Sequence, residues 1–193
     1  MQLIFATNNQ NKVKEIASVL PANIEVKSLK EIGINVDIPE PHDTLKENAS
    51  EKSRTIFELT QQNCFSEDTG LEVDALNGAP GVRSARYAGE PSNPEKNIEK
   101  LLHEMNGKSN RAARFRTVVS LILNGKEYWF EGVCEGKIIH EKRGEDGFGY
   151  DPVFIPIGSD STFAQMDMNE KNLFSHRKKA IDKLIAFLLE NQK

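Results

Sequence analysis

Short apolar runs alternate with longer amphipathic stretches along this chain, the rhythm of strands interleaved with helices. Leu3-Ile4-Phe5-Ala6 is unbroken, as in a strand buried on both faces, and it opens onto the polar segment Thr7-Asn8-Asn9-Gln10-Asn11-Lys12. Val13, Ile16, Ala17 and Leu20 then repeat at helical spacing until Pro21 stops them. Ile24 to Ser28 predicts a second strand, and Ile38 to Asp43 an exposed connection. Thr44-Leu45-Lys46-Glu47 is a capping box, so a helix begins there, with Leu45, Ala49, Ile56 and Leu59 along its buried stripe. A strand from Asn63 to Ser66 leads into an acidic loop, with a short element beyond it from Leu71 to Leu76. Ser92-Asn93-Pro94-Glu95 repeats the capping pattern ahead of a helix that reaches Met105. Arg111 to Leu123 and Lys126 to His140 are β-rich and meet at Asn124-Gly125, the signature of a type I′ hairpin. A Gly-rich stretch, 144–152, precedes Val153-Phe154-Ile155, and a last helix starts near Ser175 with Ala180, Ile181, Leu184, Ile185 and Leu188 inside. The pattern predicts an α/β protein: a long, twisted mixed sheet with flanking helices packed on it, and a groove between two lobes.

Several positions break this pattern, and they carry the candidate chemistry. Lys52 completes the buried stripe of the second helix, where an ammonium must either snorkel out or meet an anion at the edge of a cavity; Asn48 lies one turn earlier on the same face. His176 and Arg177 extend the stripe of the last helix to positions that ought to be apolar. Arg177, Lys178 and Lys179 also oppose the helix macrodipole, so acidic or electron-rich groups are expected near them. The strand, polar loop and helix start at Thr7–Lys12 could cradle a phosphate or simply cap a helix, and it lacks the glycines of a Walker loop. Glu67, Asp68, Glu72 and Asp74 crowd together among Gly70, Gly78, Gly81 and Gly89, which suits either a cation site or a solvated acidic turn. Phe148, Tyr150 and Asp151 could stack on and orient a base, or pin their loop to the core. Arg114 and Arg116 alternate with Phe115 and Thr117, as on a solvated sheet face.

Composition narrows the partners. The chain has 193 residues and a formal net charge of −4, so its overall field does not favour nucleic acid, and a polyanion needs a local basic pocket. Cys64 and Cys134 form no Cys-x-x-Cys pair, which argues against a zinc or redox motif and fits reduced thiols in the cytoplasm. No signal-peptide pattern or membrane-length apolar run is present, and without repeats or linkers residues 1–193 are expected to form a single domain.

The stretch Ser66-Glu67-Asp68-Thr69-Gly70-Leu71-Glu72-Val73-Asp74-Ala75-Leu76, followed by Gly78-Ala79-Pro80-Gly81 and Ser84-Ala85-Arg86-Tyr87, resembles the signature of the inosine triphosphate pyrophosphatase family. The resemblance extends over nearly the whole chain. It implies hydrolysis of non-standard purine nucleoside triphosphates (ITP, dITP, XTP, dXTP) to the monophosphate and pyrophosphate, by a Mg²⁺-dependent homodimer. Residue by residue, it implies that Thr7, Asn8, Asn9 and Lys12 bind the triphosphate. Asn48 and Lys52 match the family's Glu-Asn-Ala-x-x-Lys element, and Glu40 and Asp68 match its metal ligands. Asp68 would also orient or deprotonate water while Lys12 and Lys52 offset phosphate charge. Thr69 would contact substrate, Phe148, Gly149, Tyr150 and Asp151 would line the nucleotide pocket, and Lys171, His176 and Arg177 would reach the purine or its phosphates. His42 stands where a glycine is frequent, and Glu67-Asp68-Thr69 replaces the commoner Asp-Asp-Ser. A housekeeping pyrophosphatase for pyrimidine or modified nucleotides and a non-catalytic nucleotide sensor are the alternative classes.

Overall fold

In the computed structural model, which describes residues 1–191, strands and helices follow as β1 (Gln2–Phe5), α1 (Gln10–Ala17), β2 (Glu25–Ser28), α2 (Leu45–Thr60), β3 (Cys64–Val73), β4 (Pro80–Gly81), α3 (Pro94–Glu104), β5 (Ala112–Leu123), β6 (Lys126–Ile138), β7 (Phe154–Pro156), α4 (Met168–Asn172) and α5 (His176–Glu190). The strands form a mixed sheet in the order β2-β1-β3-β5-β6-β7, with β4 also beside β3. β1 runs parallel to β2 and β3, whereas β3 with β4 and β6 with β7 are antiparallel. The α/β class expected from the sequence is the one observed. Asn124 and Gly125 both take positive φ, 52° and 76°, which is the geometry a type I′ hairpin demands.

The chain divides into two compact units. The first comprises Met1–Asp68, Thr117–Gly132 and the segment from Arg177 onward; the second comprises Thr69–Arg116 and Val133–His176. In the first unit, β1 has a parallel neighbour on each side and buries both faces by simple alternation. Leu3 and Phe5 pack with Ile16 of α1 and with Ala180, Ile181, Leu184 and Leu188 of α5. Ile4 and Ala6 point the other way, into a cluster with Leu29 and with Ile56 of α2. α2 starts after its expected cap: the Thr44 hydroxyl accepts a hydrogen bond from the Glu47 amide and donates one to the Glu47 carboxylate, a side-chain bond in place of the carboxylate-to-amide half of a capping box. Its stripe ends at Ile56 and Phe57 and leaves Leu59 61% exposed, and the helix closes at a left-handed Gln61.

The second unit has its own core. Leu71 and Val73 of β3, Ala113 and Phe115 of β5, Cys134 and Ile138 of β6 and Phe154 of β7 gather around Ile98, Leu101 and Met105 of α3. The cap of α3 is Asn93 and not Ser92: the Asn93 side chain accepts from the Lys96 amide, which lets Pro94 occupy the first helical position. Arg114 and Arg116, expected on a solvated face, instead share the Glu72 carboxylate at 2.6 and 2.9 Å. Burial raises the Glu72 pKa, but hydrogen bonds from the two guanidiniums outweigh it, and the net shift is downward. Both cysteines are buried, and desolvation pushes the Cys64 thiol up to about 12. Among the described residues no helix is long and apolar enough to cross a membrane.

The largest departure from the sequence reading is β3. Ten residues, Cys64–Val73, form one continuous strand through what was expected to be an acidic loop. Gly70 does not break it. Its role is close approach: a Cβ there would lie 2.5 Å from the Gly81 carbonyl oxygen, where β4 crosses in register with Leu71. Ser84 fastens the same crossing, accepting from the Leu71 amide at 2.8 Å and donating to the Gly81 carbonyl at 2.6 Å. Gly70→Ala is therefore expected to lower stability by about 1–3 kcal/mol, the usual range for overpacking. Urea unfolding monitored by circular dichroism measures it, and an unchanged midpoint would show that β4 yields without cost.

Candidate functional site

Alternation along β3 decides where its acids go. Phe65 and Glu67 face the layer of α1 and α5, while Cys64, Ser66 and Asp68 face α2: the Cys64 thiol donates to the Ser53 carbonyl, and the Ser66 hydroxyl to that of Ala49. Neighbouring carboxylates thus enter two separate ion networks.

On the first face, Glu67 is 2% exposed and receives Lys12 Nζ at 2.8 Å and Arg177 Nη2 at 3.2 Å. The other arm of Arg177 is bonded to Glu15 of α1. Desolvation works against the buried guanidinium, but Glu67 and Glu15 outweigh it and hold its pKa above the ordinary value. These two acids are the groups that the basic helix start called for. Lys12 is placed by the loop before α1. Asn9 caps the helix, its side chain accepting from the amides of Asn11 and Lys12 at 3.0 and 3.3 Å, and the Thr7 hydroxyl accepts from the Asn9 amide at 3.1 Å. Asn8 ties the loop outward through a 2.8 Å bond to the Val36 carbonyl.

On the second face, Lys52 Nζ lies 2.7 Å from Glu40 Oε1 and 3.0 Å from Asp68 Oδ1. The stripe-breaking ammonium therefore meets two carboxylates. One cation serving two acids leaves the cluster short of positive charge. Lys52 is held charged because Asp68 and Glu40 outweigh its desolvation, whereas burial pushes the Asp68 pKa up by more than Lys52 and Lys12 draw it down. Asn48, buried in α2, accepts from the His42 amide at 3.0 Å and donates to the His42 carbonyl at 3.1 Å. Both sides of its carboxamide thereby fix the connection that carries Glu40.

This donor set fits a divalent cation. Asp68 Oδ2 is buried with no hydrogen-bond partner, a costly state for a carboxylate oxygen. Among the described residues no three His, Cys, Asp or Glu side chains gather closely enough to hold a metal by themselves. Two carboxylates are the number that Mg²⁺ commonly takes when substrate phosphates and water complete its shell.

In the second unit, Asp151 ends the Gly-rich loop, accepting from the Phe148 amide at 2.9 Å and from Lys171 Nζ at 2.6 Å. Lys171 lies 5.4 Å from the centroid of Phe148 and 5.3 Å from that of Phe163. Gly149 takes a φ of +61°, open to glycine at little cost. Tyr150 is an anchor: its ring is in the core and its hydroxyl donates to the Ser84 carbonyl at 2.8 Å. Phe148 stays partly exposed, as does Thr69. His176 stacks on Phe115 at 4.7 Å with ring planes 13° apart, which explains an imidazole on an apolar stripe.

Three residues escaped the sequence reading. Glu15 precedes the stripe residue Ile16 and sits three positions after Lys12, so its burial has only a faint periodic signal. Ser84 and Asn97 act on backbone: the Asn97 amide group donates to the Ala85 carbonyl at 3.0 Å and accepts from the Ala88 amide at 2.7 Å, bonds that no spacing rule reveals.

Comparison with known proteins finds relatives along nearly the whole chain. The model of the Ham1 family matches residues 3–187. A dITP/XTP pyrophosphatase of Christiangramia forsetii is 50% identical over 188 residues, covering 97% of this chain and 99% of that one. One from Porphyromonas gingivalis is 50% identical over 189 residues, with 97% of each chain covered. Among solved structures, the Staphylococcus aureus Ham1 protein superposes with a TM-score of 0.89 at 39% identity over 100% of both chains. A HAM1 protein from Coxiella burnetii gives 0.89 at 36% identity, covering 98% and 99%.

The Glu15–Arg177–Glu67 chain is testable by itself. Arg177→Met leaves two buried carboxylates without their shared cation and is expected to cost about 3–5 kcal/mol. Adding Glu15→Gln to that variant should recover at least about 1 kcal/mol, a coupling measurable in a double-mutant cycle of urea unfolding. Additive effects would show that Arg177 and Glu15 do not depend on one another.

Proposed function

The chain belongs to the Ham1 family, and from that premise we propose how its residues divide the work on one nucleotide. It is a nucleoside-triphosphate pyrophosphatase that converts non-standard purine nucleoside triphosphates to monophosphate and pyrophosphate. The observation that carries our reading is the Lys52 cluster, with its two carboxylates and the partnerless Asp68 Oδ2.

In this reading Glu40 and Asp68 would hold Mg²⁺, which would neutralise phosphate oxygens and supply a Lewis acid. Asp68 orients the attacking water and accepts its proton, a role suited to a carboxylate whose pKa is pushed up by burial. Lys12 and Lys52 offset charge that builds as the bond between the α- and β-phosphoryl groups breaks. Thr7, Asn8 and Asn9 shape the start of α1 for the phosphates, Asn48 keeps Glu40 in place, and Thr69 follows Asp68 along the strand toward the substrate. Arg177, committed to Glu15 and Glu67, contributes by fixing Glu67 and through it Lys12.

We assign the base to the loop 148–151 together with Lys171 and His176. Phe148 supplies an apolar face, Gly149 and Tyr150 set the loop, and Asp151 steadies Lys171, whose ammonium can donate to a 6-oxo group. His176 completes the lining. Adenine presents a 6-amino donor there, so one side loses a bond. The two units are read as one catalytic domain in a cytoplasmic homodimer, in keeping with the family resemblance and two reduced, buried thiols; light scattering should return twice 21.7 kDa.

Two measurements test the assignment. Asp68→Asn keeps the shape but removes the charge, and kcat should fall by about 10² or more at saturating Mg²⁺. Near-native turnover would remove Asp68 from the chemistry. A product assay over a panel of triphosphates should favour ITP over ATP by at least about a hundredfold in kcat/KM, and Lys171→Met should narrow that ratio mainly by slowing ITP. Equal kcat/KM for the two would point to the less selective housekeeping pyrophosphatase.

A further inference from the structure

The position of Lys52 bears on the order in which metal and nucleotide bind. Its Nζ lies within hydrogen-bonding distance of one oxygen from each acid assigned to the metal, at 2.7 Å and 3.0 Å, and its side chain is 9% exposed. An ammonium there occupies the ground a divalent ion needs. Each acid keeps a second oxygen, Asp68 Oδ2 among them, but an ammonium already seated between the two carboxylates repels a divalent ion brought to contact distance in a buried setting.

We infer that Lys52 is a built-in cation that closes the metal site of the nucleotide-free protein, and that the triphosphate opens it by offering the ammonium another anion. The inference rests on Glu40 and Asp68 being the metal ligands. The lysine stem has four rotatable carbons, so a swing of the head group toward phosphate needs no movement of α2. Metal then enters together with the nucleotide, and a divalent ion alone gains little, since it must approach an ammonium that already offsets the charge of Glu40 and Asp68. Asn48 contributes by pinning His42, which keeps Glu40 beside Lys52 in place of letting it drift to solvent.

Mn²⁺ is a suitable probe, because its free fraction is read directly by electron paramagnetic resonance. The nucleotide-free wild-type protein should bind Mn²⁺ weakly, and Lys52→Met should bind it at least tenfold more tightly. Adding Asp68→Asn to Lys52→Met should abolish the gain. The melting temperature of Lys52→Met should rise on adding Mn²⁺ alone, while that of the wild type should respond only when a non-hydrolysable ITP analogue is added too. Lys52→Gln, which keeps polar contacts to both acids, serves if the Met variant does not fold, with a smaller tightening expected. Equal Mn²⁺ affinity in wild type and both variants would overturn the inference. Failure of the underlying ligand assignment reads differently: Glu40→Gln would then leave Mn²⁺ affinity unchanged even in the complex with the analogue.

Discussion

Buried negative charge is the constraint that orders the first unit. Glu15, Glu67 and Asp68 are all nearly inaccessible to water, and each would be intolerable there without a cation. Arg177, Lys12 and Lys52 are drawn in to meet them, and the elements that carry those cations, α1, α2 and α5, are the ones whose apolar stripes cover the sheet. Packing and charge therefore use the same helices. The hydrophobic stripes fix where each helix lies, and the ion pairs fix how far along its axis it sits, since a slip of one turn would separate Arg177 from both Glu15 and Glu67.

The second unit solves a different problem with neutral groups. Its loops are held by side chains bonded to backbone: Ser84 to the β3–β4 crossing, Asn97 to Ala85 and Ala88, Tyr150 to Ser84. Such bonds demand shape from the loop and contribute no net charge. That suits a region assigned to an uncharged base, where Lys171 and Asp151 neutralise each other.

Helix starts, the hairpin turn and the buried strand β1 were legible in the sequence because each depends on neighbours a few residues away: Thr44 with Glu47, Asn124 with Gly125, Leu3 to Ala6 as an unbroken run. The acids of β3 were not. Short-range rules make glycines and clustered carboxylates a loop, whereas here cations from α1, α2 and α5, distant along the chain, supply what a strand at that place requires. Lys52 and Arg177 were visible as errors in otherwise regular stripes. Of their partners, Glu40, Glu67 and Asp68 were singled out, Glu40 through the family resemblance, but Glu15 was not, because it stands where an exposed acid would look ordinary.

A strand is also the more exacting support for Asp68. In a loop, Glu67 and Asp68 could turn to the same cation and compete for it; in extended backbone they must diverge, one to each face of the sheet. The separation gives Lys12 and Arg177 to Glu67 as direct partners and leaves Asp68 in contact with Lys52, with Lys12 acting on it only at longer range. The undersupplied acid is the one assigned to metal and water. Replacing Glu67 by an apolar residue would strip Lys12 and Arg177 of an acceptor without adding positive charge around Asp68. The charge deficit at Asp68 is thus set locally, by which way its side chain points, and a single-residue shift in the register of β3 would exchange the two acids and their roles.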